Sequence, residues 1–232
     1  MDKITKSLSI ICPTFNEASR LPLLLADINL WPHIIDLHIV DGGSKDKTIL
    51  IAELAGAKVS KTFEANRGKQ LRIGANESKG EWLLFIHSDC RLCTNWADKI
   101  NELINRKSSE EFAWYFDFKV KNKRIDLRFL ELAVNLRSSF IQRPYGDQGL
   151  LISRTLYDRL GGFLNLHIME DLDLIIKISK VTKLKRIGIP LLTDGKKWKR
   201  INIIKQALKN AKLRSRWRKG DSTKSIAKEY YK

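Results

Sequence analysis

Four times in its first hundred residues the chain passes from a short apolar run to a longer amphipathic stretch. Leu8–Pro13, Leu37–Val40, Lys58–Thr62 and Trp82–Ile86 have the length and apolar density of buried strands. Between them, Glu17–Asn29 places Leu21, Leu24, Leu25 and Ile28 on one helical face. Asp46–Gly56, which stops at glycine, Gly68–Ser78 and Asn95–Asn105 read as further helices. Strands alternating with helices make βαβ units, so the pattern predicts an α/β fold: a mostly parallel sheet covered by helices on both faces. Ligands of such sheets sit at the carboxyl ends of the strands.

The second half is less regular. Phe112–Val120 and Gly149–Ser153 read as strands, and Ile125–Phe140, Thr155–Leu160, Asp171–Val181 and Ile201–Arg218 as helices. Carboxylates in the first turn of the Asp171 helix suit its macrodipole. No internal repeat or Gly/Ser/Pro-rich linker divides the chain. The expected organisation is one domain in two halves, over 1–110 and 111–198, followed by a basic appendage over 199–232.

The 232 residues are 43% apolar, which excludes wholesale disorder and permits a substantial core. Three cysteines are too few to staple such a chain, and no apolar run reaches the ~20 residues of a membrane span. Leu8–Cys12 is too brief for a signal-peptide core. A cytoplasmic protein is expected. Its formal charge of +17 is uneven: 17 Lys/Arg and three Asp/Glu fall from Val181 onward. Such a tail can meet nucleic acid, anionic lipid, or phosphates in the protein's own site. The last helix combines an apolar side (Ile201, Ile204, Leu208, Ala211) with Trp217 and many cations. Either it contacts an anionic membrane surface or it packs on the body with its cations in water.

Four polar clusters follow or flank the apolar runs: Pro13–Glu17, Asp41–Ser44, Arg67–Gln70 and His87–Asp89. Loops are polar and helices need caps, so each alone says little; all four on one sheet edge point to a site. Asp89, after the most apolar strand, can hold a hard divalent cation against a diphosphate. Asp41 can accept a hydrogen bond from a base or ribose, Gly42 and Gly43 permit close backbone approach, and Arg67 and Lys69 can neutralise phosphate. Cys90 and Cys93 have zinc or redox spacing but lack partner ligands, so packing at the start of a helix is the better reading. His33, His38 and His167 show no ligand spacing. A nucleotidyltransferase would carry a Gly-rich loop after the first strand and an oxidoreductase a G-x-G-x-x-G; Pro13–Glu17 has no glycine. A nucleic-acid-binding protein would use the basic tail but leave the acids idle, so nucleic acid is not the expected partner.

Ser9–Glu17, Val40–Thr48 and Leu84–Asp89, followed in order by Pro144–Gly149, Gly161–Phe163 and Met169–Asp171, resemble the motifs of family 2 glycosyltransferases. The resemblance is nearest to the bacterial radical-SAM/selenodomain-associated subgroup and runs from Ser9 to about Arg200. It implies the GT-A fold and inverting sugar transfer from a nucleotide diphosphate, UDP favoured, to a hydroxyl acceptor, with Mn²⁺ or Mg²⁺. By position it implies that Pro13, Thr14, Glu17, Asp41, Arg67, His87, Ser88 and Asp89 bind the nucleotide sugar, with Asp89 on the metal. Asp171, beside Glu170, matches the general base; Asp147 and Gln148 would lie near the acceptor. Trp198 and Arg200, in the basic stretch Lys196–Arg200, would belong to a loop over the diphosphate. Two positions depart from the pattern. His87 replaces the first acid of the DxD motif and could contact ribose or ion, or simply fill space. Gly42 stands where many relatives have a second acid.

Overall fold

The computed structural model describes residues 6–122, 124–194 and 203–230. β1 (Leu8–Thr14) is buried along its whole length and lies between two parallel neighbours, β2 (Asp36–Asp41) and β4 (Trp82–Phe85). β3 (Lys58–Lys61) adds parallel to β2. The connections are α1 (Leu21–Ile28), α2 (Thr48–Leu54) and α3 (Arg67–Glu77). β5 (Cys90–Leu92), α4 (Trp96–Ile104), β6 (Ala113–Val120), α5 (Ile125–Phe140), β7 (Leu150–Ser153), α6 (Arg154–Arg159), α7 (Glu170–Val181) and β8 (Leu184–Thr193) follow. The sheet order is β3-β2-β1-β4-β7-β6-β8-β5. β7 runs antiparallel to β4 and β6, and β5 antiparallel to β8.

Successive strand residues face opposite sides, so one short sequence supplies two cores. Ile10, Cys12 and Leu84 join Leu24, Trp96 and Ile100 beneath α1 and α4. Ile11, Leu83 and Phe85 join Leu71, Leu156 and Ile175 beneath α3, α6 and α7. The second layer matters for chemistry, because it brings the N-termini of α3 and α7 to the sheet edge where β1, β2 and β4 end.

The expected strands and helices of the first half are present, with two helices shortened. Pro22 sits in the first turn of α1, where its missing N–H has no partner to lose, and the chain before Leu21 is a turn. Two strands and a helix were not anticipated. β8 carries apolar residues at 184, 187, 189 and 191, a rhythm broken by a register shift opposite Tyr115 and Asp117 and by Gly188 at φ +85°. β5 is only three residues long, too short to show a period. Cys90 lies in it and Cys93 just beyond, half-buried at the approach to α4, consistent with packing; all three cysteines are free.

The tail also differs from expectation. α8 (Ile203–Arg218) and α9 (Thr223–Tyr230) form a hairpin, and Leu213, Ile226 and Ala227 pack against Ile168, Met169 and Leu172. Trp217 joins the same small cluster. The face of α8 that packs is therefore the one holding Leu213 and Trp217, while Leu208, expected on the apolar side, is 66% exposed. The described part of the appendage is built onto the domain through a cluster separate from the two sheet cores. Leu213→Ala should destabilise the hairpin by about 2–4 kcal/mol as a local unit. Hydrogen exchange is expected to quicken in α8 and α9 and to stay unchanged in β1 and β4; uniform quickening would refute this.

Candidate active site

The β1 and β2 ends are locked by one carboxylate. Asp41 is wholly buried; its Oδ1 accepts from Thr14 Oγ1 (3.1 Å) and Ser44 Oγ (2.5 Å), its Oδ2 from the Gly43 (2.9 Å) and Ser44 (2.7 Å) amides. Gln70 of α3 donates from Nε2 to the carbonyls of Thr14 (2.9 Å) and Val40 (2.7 Å), tying both strands to the helix. Pro13 and Thr14 are buried with them. Asp41 was expected to face a base or ribose; here its oxygens hold the loop and present nothing to a ligand. A Cβ on Gly42 would stand 2.9 Å from the Ala65 Cα. A side chain at 42 therefore has no room, which accounts for the glycine at this position.

At the β4 end, Ser88 is buried while His87 and Asp89 are partly open. Arg20, in the turn before α1, stands among three carboxylates: Glu17 at 3.3 Å, and Asp89 and Asp194 each at 4.0 Å. Asp194 follows β8, and its amide donates to the Asp89 carbonyl (3.2 Å). Burial first, then the Asp89 and Glu17 carboxylates, push the Cys12 thiol far up, and burial does the same to Cys90. Neither is a ready nucleophile.

α7 begins from Met169, a buried residue held at φ +67°. That left-handed turn is unusual for a side chain of this size; Glu170 and Asp171, consecutive in the first turn of α7, point about 100° apart around the helix. Glu170 is fully buried and accepts from Arg67 Nε. Burial pushes its carboxyl up; Arg67 pulls it back and Asp171 adds to the rise. Asp171 stays partly open. Its Oδ2 accepts from the Gly146 amide (2.8 Å) and its Oδ1 from the Leu172 amide (2.7 Å). A Cβ on Gly146 would lie 3.0 Å from His87 Nε2 and 3.2 Å from Asp171 Oδ2. Glycine is thus the spacer that lets strand end and helix start meet. Gln148, expected near the acceptor, is buried instead: its Oε1 accepts from Ser138 Oγ (2.6 Å) and its Nε2 donates to the Phe116 carbonyl (3.2 Å).

A cleft of about 450 Å³ collects Arg67, His87, Asp89, Asp147 and Asp171. Its far wall is α8, where Gln206, Asn210 and Arg214 recur every four residues on one face. Arg214 and Arg137 both stack on Tyr145, at 5.6 and 3.8 Å from its centroid. No carboxylate lies within ion-pair range of Arg214 among the described residues. Among them, too, no three acid, His or Cys side chains cluster as a ready cation cage. Trp198 and Arg200 lie outside the described residues.

Comparison with known proteins decides what kind of cleft this is. The sequence profile described as Glycosyl transferase family 2 matches residues 9–145, more than half of the chain. The chain belongs to glycosyl transferase family 2. This family 2 chain is 22% identical over 183 residues to an uncharacterized glycosyltransferase of Haemophilus influenzae, covering 74% of the chain and 61% of that protein. It is 31% identical over 105 residues to the human dolichyl-phosphate beta-glucosyltransferase, 38% of the chain and 32% of that protein. The chain thus spans 61% and 32% of the length of these relatives. Its fold is that of S. aureus TarS 1-349 in complex with UDP-GlcNAc (TM-score 0.66, 15% identity, 97% of this chain and 71% of that one). The mannosyltransferase PcManGT from Pyrobaculum calidifontis, in complex with GDP-Man and Mn²⁺, is similar at TM-score 0.64, 15% identity, 97% of this chain and 69% of that one. The α/β sheet is accordingly the GT-A fold.

For this family 2 cleft the sequence pointed to the acids and missed the cations that oppose them. Arg20 could have been noticed three residues after Glu17, in helical register with it. Arg214 could have been found from the four-residue recurrence of polar residues along α8, but only once its packed face was known. Arg67, expected on phosphate, is committed to Glu170. Replacing Arg67 by Met leaves a buried carboxyl without its cation, so the folded-state value of Glu170 climbs further above the unfolded ~4.3. Such a group binds its proton more tightly when folded, so stability drops as pH rises through that interval. The expected loss at pH 7 is about 2 kcal/mol, below that of a fully buried pair because Arg67 is partly exposed. Melting curves from pH 4 to 7 should show the gap to the parent widening, and Glu170→Gln in the same chain should narrow it.

Proposed function

We propose that this chain transfers a sugar from a nucleotide diphosphate, a UDP-sugar in the leading case, to an acceptor hydroxyl with inversion at the anomeric carbon. The observation that carries the reading is that Asp89 and Asp171, 82 positions apart, line one cleft in a family 2 domain. Complexes of proteins with the same fold hold UDP-GlcNAc or GDP-Man. The nucleotidyltransferase and nucleic-acid readings have no comparable support.

Asp171 is the base. Two backbone amides fix its carboxylate, one on each oxygen, and each oxygen keeps a lone pair. As the acceptor oxygen bonds to the anomeric carbon, its proton passes to Asp171, and the bond to the diphosphate oxygen breaks on the opposite face, its electron pair leaving with the nucleotide. Glu170 is not a second base, since it is buried and anchors Arg67; that Asp147 lines the same cleft supports a role for it toward the acceptor. Arg214, with no carboxylate to oppose it among the described residues, is available to offset negative charge in the cleft.

Asp89 fits a hard divalent cation. Its carboxylate lines the cleft, and its cationic neighbour Arg20 stands at 4.0 Å, beyond hydrogen-bond range. Without a preformed cage, further ligands would come from the diphosphate. When bound, Mn²⁺ or Mg²⁺ would neutralise charge on the leaving group.

Asp171→Asn should keep the thermal shift given by a UDP-sugar and lose about 10²–10⁴-fold in transfer. Transfer at the parent rate would remove Asp171 as base. Asp89→Ala should abolish the Mn²⁺-dependent part of the UDP thermal shift and spare the metal-independent part; an unchanged Mn²⁺ titration would contradict the assignment.

A further inference from the structure

Two arginines beside the cleft have no acid to answer them. Arg137 of α5 and Arg214 of α8 share the Tyr145 ring, their guanidinium carbons 3.8 and 5.6 Å from its centroid. Among the described residues neither has a carboxylate within ion-pair range. Arg137 donates only to neutral oxygens, the Arg143 carbonyl (3.1 Å) and Gln148 Oε1 (3.5 Å). Arg67 and Arg91, half-buried in the same way, are answered by Glu170 and Asp27. Burial holds the Arg137 guanidinium below its ordinary value and the charge of Arg214 adds to the fall, while Asp147, Tyr145 and Asp171 act against it. Like charges gathered on one ring and half out of water favour an anion between them.

The pair belongs to the side of the cleft that carries Asp171. Tyr145 is joined to Gly146, whose amide holds the Asp171 carboxylate (2.8 Å). Leu213, the neighbour of Arg214, seats α8 on Ile168, Met169 and Leu172, which bracket Glu170 and Asp171. Asp89 stands apart from them, beyond the end of β4. Inversion sets the attacking hydroxyl and the leaving group on opposite faces of the anomeric carbon. A cation mounted beside the base therefore faces the acceptor rather than the diphosphate. Gln206 and Asn210 continue the same wall. Gln206 Nε2 donates to Asn210 Oδ1 (2.9 Å), which leaves Gln206 Oε1 and Asn210 Nδ2 for hydroxyl groups.

We propose that Arg214, backed by Tyr145 and Arg137, is an anion subsite for the acceptor. The molecule whose hydroxyl gives its proton to Asp171 carries a phosphate or carboxylate a few bonds from that hydroxyl, as a polyol phosphate or a sugar acid does. A guanidinium keeps its charge at any working pH, and its planar fork matches two oxygens of either group. The acid group anchors the far end of the acceptor, and the two amide side chains of α8 meet the hydroxyls between. A neutral acceptor would leave the two cations without a counter-charge in a partly dry cleft. The subsite stands on geometry alone; its assignment to the acceptor rests on the proposed transfer reaction.

The test is a thermal shift of the full chain in saturating UDP and Mn²⁺, which fill the diphosphate positions. Glycerol phosphate, glycerate or glycerol is then titrated at constant ionic strength. Glycerol phosphate or glycerate should raise the melting temperature where glycerol does not, and the stronger of the two names the acid. Arg214→Met should weaken that response by about tenfold or more and leave the UDP shift of the parent unchanged. Asn210→Asp, which sets a negative charge beside the subsite and keeps Arg214, should weaken it as well; it decides the matter if Arg214→Met melts early. A parent indifferent to both acids, or equal responses in parent and variants, overturns the proposal. So does a loss of UDP affinity in Arg214→Met as large as the loss for the anion, which would put Arg214 on the diphosphate. A UDP-sugar titration without the probes separates the two readings. An Arg214-dependent anion shift in a chain blind to UDP-sugars counts against the transfer reaction alone, and a UDP-sugar shift without an anion response counts against the subsite alone.

Discussion

Three segments far apart in the chain meet around one Cα. His87 ends the most apolar strand, Gly146 opens a short turn after α5, and Asp171 stands in the first turn of α7. The hydrogen from the Gly146 amide to Asp171 and the lack of a side chain at 146 are two aspects of the same constraint. One draws the helix start to the strand end; the other lets it arrive. The shape of the cleft, the orientation of its carboxylate and the docking of the terminal hairpin on α7 follow from that approach.

Around this point the domain separates acids buried in the framework from acids that line the cleft. Asp41 is consumed by four donors, three in its own loop and one from Thr14 of β1. Asp27 takes both Arg91 Nε and Nη2 and the Leu92 amide, fixing the short β5. Glu170 is answered by Arg67. Asp41 and Asp27 therefore have donors that offset their loss of water, whereas Glu170 keeps one buried oxygen without a partner. What stays open to the cleft is the smaller set of Asp89, Asp147 and Asp171, faced by His87 and Arg214. Burial divides residues that look equivalent in the sequence, most plainly the adjacent pair 170 and 171.

The strands and helices of the first half were legible because each is a βαβ unit whose own hydrophobic period announces it. Ile125–Phe140 was legible as a helix, but periodicity tells which residues align and not which side they turn to. The same ambiguity misassigned the packed face of α8. β8 was hidden by a bulge that breaks alternation, and β5 by its brevity. At the site, Asp89 and Asp171 could be marked from their neighbours, but the buried tasks of Asp41, Glu170 and Gln148 could not. The Thr14–Asp41, Arg67–Glu170 and Ser138–Gln148 contacts span 27, 103 and 10 positions and are brought together only by the tertiary fold.

The four-residue recurrence of Gln206, Asn210 and Arg214 has a consequence for how such a domain can diversify. These side chains form a wall of the cleft, but their helix is mounted through a satellite cluster distinct from both cores of the sheet. Exchanging them alters what the opening admits without disturbing the strands that carry Asp89 or the turn that carries Asp171. The hairpin is an interchangeable faceplate on a fixed housing, and the lining of the opening can drift there while the strand ends behind it stay in register.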